Sequence, residues 1–207
     1  MELDRKSAVV TIKNNSTKNY AFPIELTNLK AYYENDIVCE YFHSYHAPSH
    51  GLSFSLKLTD PKTKEILKPQ RTHVNIDFES FEKYLTENKG CFSLDEEKEE
   101  WQVKHKIKDK TKADLNYYIY NHLIYLRPNQ RFSYRIVIDL ENISSEFYFI
   151  DRYDVKPNTK YAFELYTEIT DCIYDLLTPE QKEEIKDYTL FTGKITSNII
   201  DCNSTPE

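Results

Sequence analysis

The densest concentration of chemically versatile side chains is Phe42-His43-Ser44-Tyr45-His46-Ala47-Pro48-Ser49-His50, which holds three of the six histidines at spacings of three and four. Neutral imidazoles are good ligands for zinc or copper, and three suffice for an open metal site. On an extended strand His43 and His46 face opposite sides, so only a loop around Pro48 could bring His46 and His50 together. No His-Glu-x-x-His motif occurs and no carboxylate lies among the three. The competing reading is a polar, aromatic-rich loop at a strand end, in which His43, Tyr45, His46 and His50 contact a partner; loops on rigid scaffolds commonly carry recognition. That reading is preferred, and no cofactor is expected.

A second feature is Trp101-Gln102-Val103-Lys104-His105-Lys106-Ile107-Lys108-Asp109-Lys110-Thr111-Lys112, where lysines alternate strictly. As a strand it would carry a cationic stripe on one face and Trp101, Val103, His105 and Ile107 on the other. Such a stripe either binds an anion or protects a sheet edge from pairing, and the acidic run just before it favours protection. A third feature is the tyrosine load, 17 in all, with Tyr117, Tyr118 and Tyr120 close together. Tyrosine offers large contact area at low entropic cost in interfaces, can stack on sugars, and also simply suits half-buried strands. The adjacent pair Tyr117-Tyr118 fits a strand least well, because one ring must then face away from the core.

Catalytic constellations are otherwise missing. No nucleophile elbow occurs, and carboxylates such as Glu164 and Glu168 share a strand face no more closely than chance allows, so they say little of a glycosidase pair. Only Gly51, Gly90 and Gly193 are glycines, which excludes the glycine-rich phosphate loops of nucleotide enzymes. Turns must then rely on Asn, Asp, Pro and Lys. Across 207 residues, 27 basic and 34 acidic side chains leave a formal charge of −7, a poor match to a phosphate backbone, so no nucleic-acid partner is expected. No apolar run is long enough for a membrane span. With a native Met1 the chain is expected in the cytoplasm; if a signal was trimmed, it would be periplasmic or a surface lipoprotein. Cys39, Cys91, Cys172 and Cys202 form no CxxC pair; they read first as scattered thiols packing as small apolar groups, while their even number permits two disulfides in an oxidising compartment.

The elements that must position these groups are mostly strands. Residues 132–140 place Phe132, Tyr134, Ile136, Ile138 and Leu140 on one face. Period-two alternation recurs at 53–59, 72–78 and 160–169, with further β-rich runs at 8–13, 36–46, 117–126 and 190–201. Half-buried strands of this kind belong to antiparallel sheets. Thr59-Asp60-Pro61-Lys62 predicts a turn, and Arg127-Pro128-Asn129-Gln130 a hairpin. Alternation lapses over 80–100, where Phe81, Tyr84 and Leu85 sit at helical spacing and Gly90 would stop a helix. Residues 178–187 predict a short helix, with Thr178 as cap, Pro179 in its first turn and Gln181 three residues after the cap.

Together Val9-Val10-Thr11-Ile12-Lys13-Asn14-Asn15-Ser16, Leu126-Arg127-Pro128-Asn129-Gln130, Ile136-Val137-Ile138-Asp139-Leu140, Asp151-Arg152-Tyr153-Asp154-Val155, Asn158-Thr159-Lys160-Tyr161-Ala162-Phe163 and Phe191-Thr192-Gly193-Lys194-Ile195-Thr196-Ser197-Asn198 resemble the Ig-like β-sandwich domain that precedes the catalytic domain of deuterolysin-type (aspzincin) metallopeptidases and occurs in related bacterial accessory proteins. About half the chain is involved. The zinc-binding helix of the peptidases has no counterpart here, so the resemblance implies a sandwich and a non-catalytic role and transfers no active site. The expectation is therefore an all-β, Ig-like antiparallel sandwich in one domain over 1–207, with a helical or irregular insertion near 80–114 and a short helix near 178–187. Its expected function is non-enzymatic protein recognition, of the kind seen in immunity or inhibitor proteins that mask a partner. A carbohydrate-binding lipoprotein and a metal-binding protein built on His43, His46 and His50 are the alternatives.

Overall fold

The computed structural model describes residues 6–34, 51–73, 92–146, 149–156 and 159–203. Strand (43%) outweighs helix (22%), so the fold is mainly β. The first strand, β1 (Lys6–Lys13), pairs antiparallel with β7 (Arg131–Ile138) in a two-stranded ribbon. A five-stranded sheet is built on β4 (Ser53–Thr59), which lies between β3 (Glu25–Ala31) and β10 (Lys160–Ile169). Strand β10 then pairs along its length with β12 (Gly193–Thr196) and β13 (Ile200–Asn203). Two three-stranded sheets complete the set: β2 (Tyr20–Pro23) between β6 (Leu123–Leu126) and β11 (Thr189–Leu190), and β9 (Phe149–Arg152) between β5 (Gln70–His73) and β8 (Ser144–Glu146).

Alternation places the core where the sequence implies. Ile136 of β7 is buried while Arg131, Ser133, Arg135 and Val137 are exposed. In β10, Tyr161, Leu165 and Ile169 are buried. Strand β4 departs from it: Ser53 and Ser55 are as buried as Phe54, Leu56 and Leu58, because this central strand is covered on both faces. Phe54, Leu56, Leu58, Ile136, Leu165 and Ile169 join Phe22, Ile24 and Leu29 in one apolar cluster. Each large aliphatic group removed from water there contributes about 1.5–3 kcal/mol.

Several expectations are corrected. The antiparallel expectation fails for two pairs, β3 with β4 and β11 with β2, which are parallel. Residues 32–52 separate β3 from β4, enough chain for the crossover that parallel pairing demands. Arg127–Gln130 is not a hairpin, because β6 and β7 join different sheets. Gln130 N–H donates to the Arg127 carbonyl at 3.0 Å, and Asn129, at φ 64°, takes the left-handed position of a type II turn behind Pro128. Buried Asn14 fastens this turn to β1: its amide donates to the Leu126 carbonyl (2.9 Å) and its own carbonyl accepts from Asn129 N–H (2.8 Å). With glycine so scarce, Lys64 (φ 62°) and Lys106 (φ 54°) also supply left-handed positions.

Residues 117–121 are helical rather than extended, and the alternating lysines do not form a strand. Helix α1 (Phe92–Lys104) and helix α2 (Lys110–Asn121) form a hairpin around Lys106. Asp109 caps α2, accepting from Lys112 N–H at 2.8 Å. Ala113, Asn116 and Ile119, three residues apart, make its buried face, and that tertiary anchoring outweighs the strand preference of the tyrosines. The expected insertion near 80–114 is thus helical from 92 and runs on to 121; residues 80–91 lie outside the described set. Helix α3 (Asp171–Tyr174) follows β10. Helix α4 (Pro179–Glu184) starts with the capping box of Thr178 and Gln181. Cys172 is disulfide-bonded, which is the alternative the even cysteine count left open rather than the scattered thiol preferred from sequence.

Among the described residues, Tyr134 Oη is buried in β7 without a hydrogen-bond partner, and an unmade bond of a buried hydroxyl costs about 1–3 kcal/mol. Tyr134→Phe is expected to raise the urea midpoint, with a gain of about 1 kcal/mol, and Tyr134→Ala to lower it.

Candidate functional site: an aromatic face on the helical hairpin

The feature with most potential for contact is built where α1, α2, β6 and α4 meet. Trp101, near the end of α1, stacks at 4.0 Å between ring centres on His105, and meets Tyr117 at 5.3 Å and Tyr120 at 5.6 Å. Tyr125 of β6 and Tyr188 after α4 pack edge to face at 5.0 Å. All six rings are partly exposed. Tyr117 and Tyr120 share a helix face because they are three residues apart. Tyr118 is turned away from them, which resolves the adjacent pair that a strand could not accommodate.

This face is held from below by two fully buried amides. Trp101 Nε1–H donates to Asn116 Oδ1 at 2.8 Å. The Asn116 amide donates to the Leu176 carbonyl (2.7 Å) and to Gln181 Oε1 (2.6 Å), and Gln181 returns a bond to Asn116 Oδ1 at 3.0 Å. Because Gln181 Oε1 also accepts from Thr178 N–H at 2.8 Å, the capping box of α4 and the hairpin share one network. Carboxylates fix the rim: Tyr117 Oη donates to Glu97 (2.9 Å) and Tyr120 Oη to Glu184 (2.6 Å). The bond to Glu97 raises the Tyr117 pKa, and burial followed by the bond to Glu184 raises that of Tyr120.

Beside the face runs a groove of about 900 Å³. Lys104, Lys106 and Lys112 line it together with Asp175, Glu180 and Glu184, so neither sign of charge dominates. Burial, then the neighbouring Lys104, lowers the pKa of His105, and among the described residues its Nε2 has no hydrogen-bond partner.

Tyr118 belongs to a different cluster. Its hydroxyl and His122 Nε2 reach Glu25 Oε2 at 2.5 and 2.9 Å, while Thr27 N–H and Oγ1–H donate to Oε1 at 2.8 and 2.5 Å. His122 Nδ1 bonds the Tyr118 carbonyl at 2.7 Å. The His122 bond holds Glu25 well below the carboxylate range despite burial. Burial opposes charge on His122, but Glu25 and the Tyr118 carbonyl prevail and raise its pKa. Both ring nitrogens are occupied, so the imidazole has no free atom with which to accept a substrate proton.

Of the residues singled out from sequence, Tyr117 and Tyr120 are brought together, Tyr118 is separated, and His43, Tyr45, His46 and His50 lie outside the described residues. Trp101, His105, Tyr125 and Tyr188 were not assigned to a site; the i, i+4 spacing of Trp101 and His105 was the available signal. Glu164 and Glu168 face cations, Lys57 at 3.1 Å and Lys194 at 3.7 Å. Among the described residues no group of three metal-ligating side chains occurs, and no helix is long and apolar enough to cross a membrane. No family model, curated protein or solved structure matches the chain. The resemblance to the deuterolysin accessory domain therefore rests on sequence phrases alone.

Two outcomes follow. The His122 pKa is raised from its 6.5 reference, so its contribution to stability is complete below about pH 6.5 and is lost as pH rises through the folded value. Glu25 is lowered from 4.5, so its contribution is complete above that pH and lost in acid. The melting-temperature gap between wild type and His122→Gln is thus expected to be widest near pH 5–6 and to shrink at alkaline pH. Asn116→Leu strands Gln181 and Trp101 Nε1–H, and is expected to cost about 2–3 kcal/mol in chemical denaturation with a blue-shifted change in Trp101 fluorescence.

Proposed function

We propose that the chain is a non-enzymatic protein-recognition module and that it engages its partner through the aromatic face of the helical hairpin. The observation that carries this reading is the arrangement of Trp101, Tyr117, Tyr120, Tyr125 and Tyr188 as partly exposed rings, of which Trp101, Tyr117 and Tyr120 are already fixed by hydrogen bonds to Asn116, Glu97 and Glu184, and Tyr125 and Tyr188 pack on each other. Tryptophan and tyrosine dominate binding hot spots, because large rigid rings bury area while losing little rotamer freedom. Pre-set rotamers lower that entropic cost further. The acidic rim favours a partner that presents basic side chains, in keeping with the overall charge of −7. An immunity or inhibitor role, masking a toxin or hydrolase, fits such a surface.

Carbohydrate stacking is the weaker alternative, because cations or an imidazole already lie against the Trp101, Tyr32 and Tyr33 rings. His105 and the Lys104 ammonium (5.5 Å) occupy the Trp101 ring. In a second groove, of about 940 Å³, Arg71 lies 5.1 Å over Tyr33 and Lys57 5.7 Å over Tyr32.

The protein encoded beside this chain is the first partner to test, by calorimetry on the two purified proteins. Micromolar or tighter binding is expected, weakened at least tenfold by Tyr117→Ala combined with Tyr125→Ala. Neither ring anchors the buried network, so the variant should keep its circular dichroism and melting temperature. Absence of binding at micromolar concentrations would count against the reading, and binding untouched by the double variant would move recognition to another surface.

A further inference from the structure

The ribbon of β1 and β7 has an edge that nothing described in the structure covers. Its register runs through eight successive pairs, Lys6 with Ile138 to Lys13 with Arg131, without a shift. Asn14 N–H then donates to the Gln130 carbonyl at 3.0 Å, one step beyond the last pair. The even-numbered residues of β1 therefore direct their backbone groups toward β7. Ser7, Val9, Thr11 and Lys13 direct theirs outward, and among the described residues no backbone bond reaches them.

Proteins ordinarily blunt such an edge with lysines, a proline, a bulge, an inward charge or brevity. Strand β1 has lysine only at its two ends, Lys6 and Lys13, and between them no proline, bulge or charge; its inward side chains are Ala8, Val10 and Ile12. Strand β7, the other edge of the ribbon, carries the exposed charges of Arg131 and Arg135, and the edges of the remaining sheets are short or irregular. Strand β3 carries a register shift between Glu25 and Leu29, β11 has two residues, and β12 and β13 have four each.

We propose that the open edge of β1 pairs antiparallel with β1 of a second copy, giving a twofold dimer with a continuous sheet in the order β7, β1, β1 of the second copy, β7 of the second copy. The strand is self-complementary for this. With Val10 on the twofold axis, Val9 opposes Thr11, Ser7 opposes Lys13 and Lys6 opposes Asn14, so no like charges face each other. Residues that point outward from one edge meet residues that point outward from the other, as an antiparallel ladder requires. On the inner face Ala8 meets Ile12 and Val10 meets Val10, which would cover side chains that are only half-buried in the single chain. On the outer face Val9, 65% exposed, gains a neighbouring strand. A twofold axis makes the contact isologous and closes the edge completely, which an unrelated strand would do only if its length and charge happened to match.

Sedimentation equilibrium of the full chain is expected to show a reversible dimer. Deuterium exchange at the Val9 and Thr11 amides should slow as protein concentration rises. Val9→Lys sets the new ammonium beside Lys13 of the second copy and is expected to raise the dissociation constant about tenfold or more. Thr11→Pro removes an outward N–H while leaving the ladder to β7 intact, and should give a monomer that still melts cooperatively. A chain that stays monomeric into the millimolar range, or a dimer that both substitutions leave unchanged, overturns the proposal. Concentration-independent exchange at Val9 and Thr11 does so as well.

Discussion

Two amide side chains with no exposure to water, Asn116 and Gln181, set the geometry on which the rest of the candidate site depends. Neither could be buried alone, since each would strand donors and acceptors away from solvent. Paired, they satisfy each other, the Leu176 carbonyl, the Trp101 indole and the first turn of α4 at once. Such a network is all or nothing, because the hairpin can dock against α4 in few other poses without losing several bonds together. The outward rings are presented from a base whose own rotamers are locked. A patch made of the same residues on a free surface loop would have to order itself on each encounter.

Much of the β framework was legible because one physical rule generated it. Side chains that alternate between water and core leave a period of two, and β7 and β10 could be read from it directly; β4 shows the same period because small serines alternate with large apolar residues, although both of its faces are buried. Local chemistry was legible too: Thr178, Pro179 and Gln181 announce the start of α4 because a capping box is written within four residues. Pairing was less accessible. Strands β3 and β4 pair in parallel although residues 32–52 separate them in the chain, and no short-range signal encodes which strands become neighbours. The Ig-like arrangement therefore stands as an expectation, while a mainly-β fold is what the structure establishes.

The candidate site was read partly wrong for a physical reason. Tyr117, Tyr118 and Tyr120 have side chains that favour strands, and the alternating lysines before them reinforce that impression. Burial of Ala113, Asn116 and Ile119 at helical intervals decides otherwise. Once the segment coils, residues that neighbour in sequence part company: Tyr118 turns toward Glu25 and His122, while Tyr117 and Tyr120 join Trp101. Glycine scarcity, by contrast, translated cleanly into structure, with Lys64, Lys106 and Asn129 taking left-handed turn positions.

The route taken by β2 has a consequence for assembly. Its two partners, β6 and β11, come from residues 123–126 and 189–190, and β1 finds β7 more than a hundred residues downstream. During synthesis the opening strands emerge long before the segments that hydrogen-bond them. They must wait, with apolar faces uncovered, until residues 131–138 have emerged in the case of β1 and residues 189–190 in the case of β2. Such long-range closure makes for slow, late-committing folding, and it makes C-terminal shortening far more damaging than the modest size of β11 would suggest.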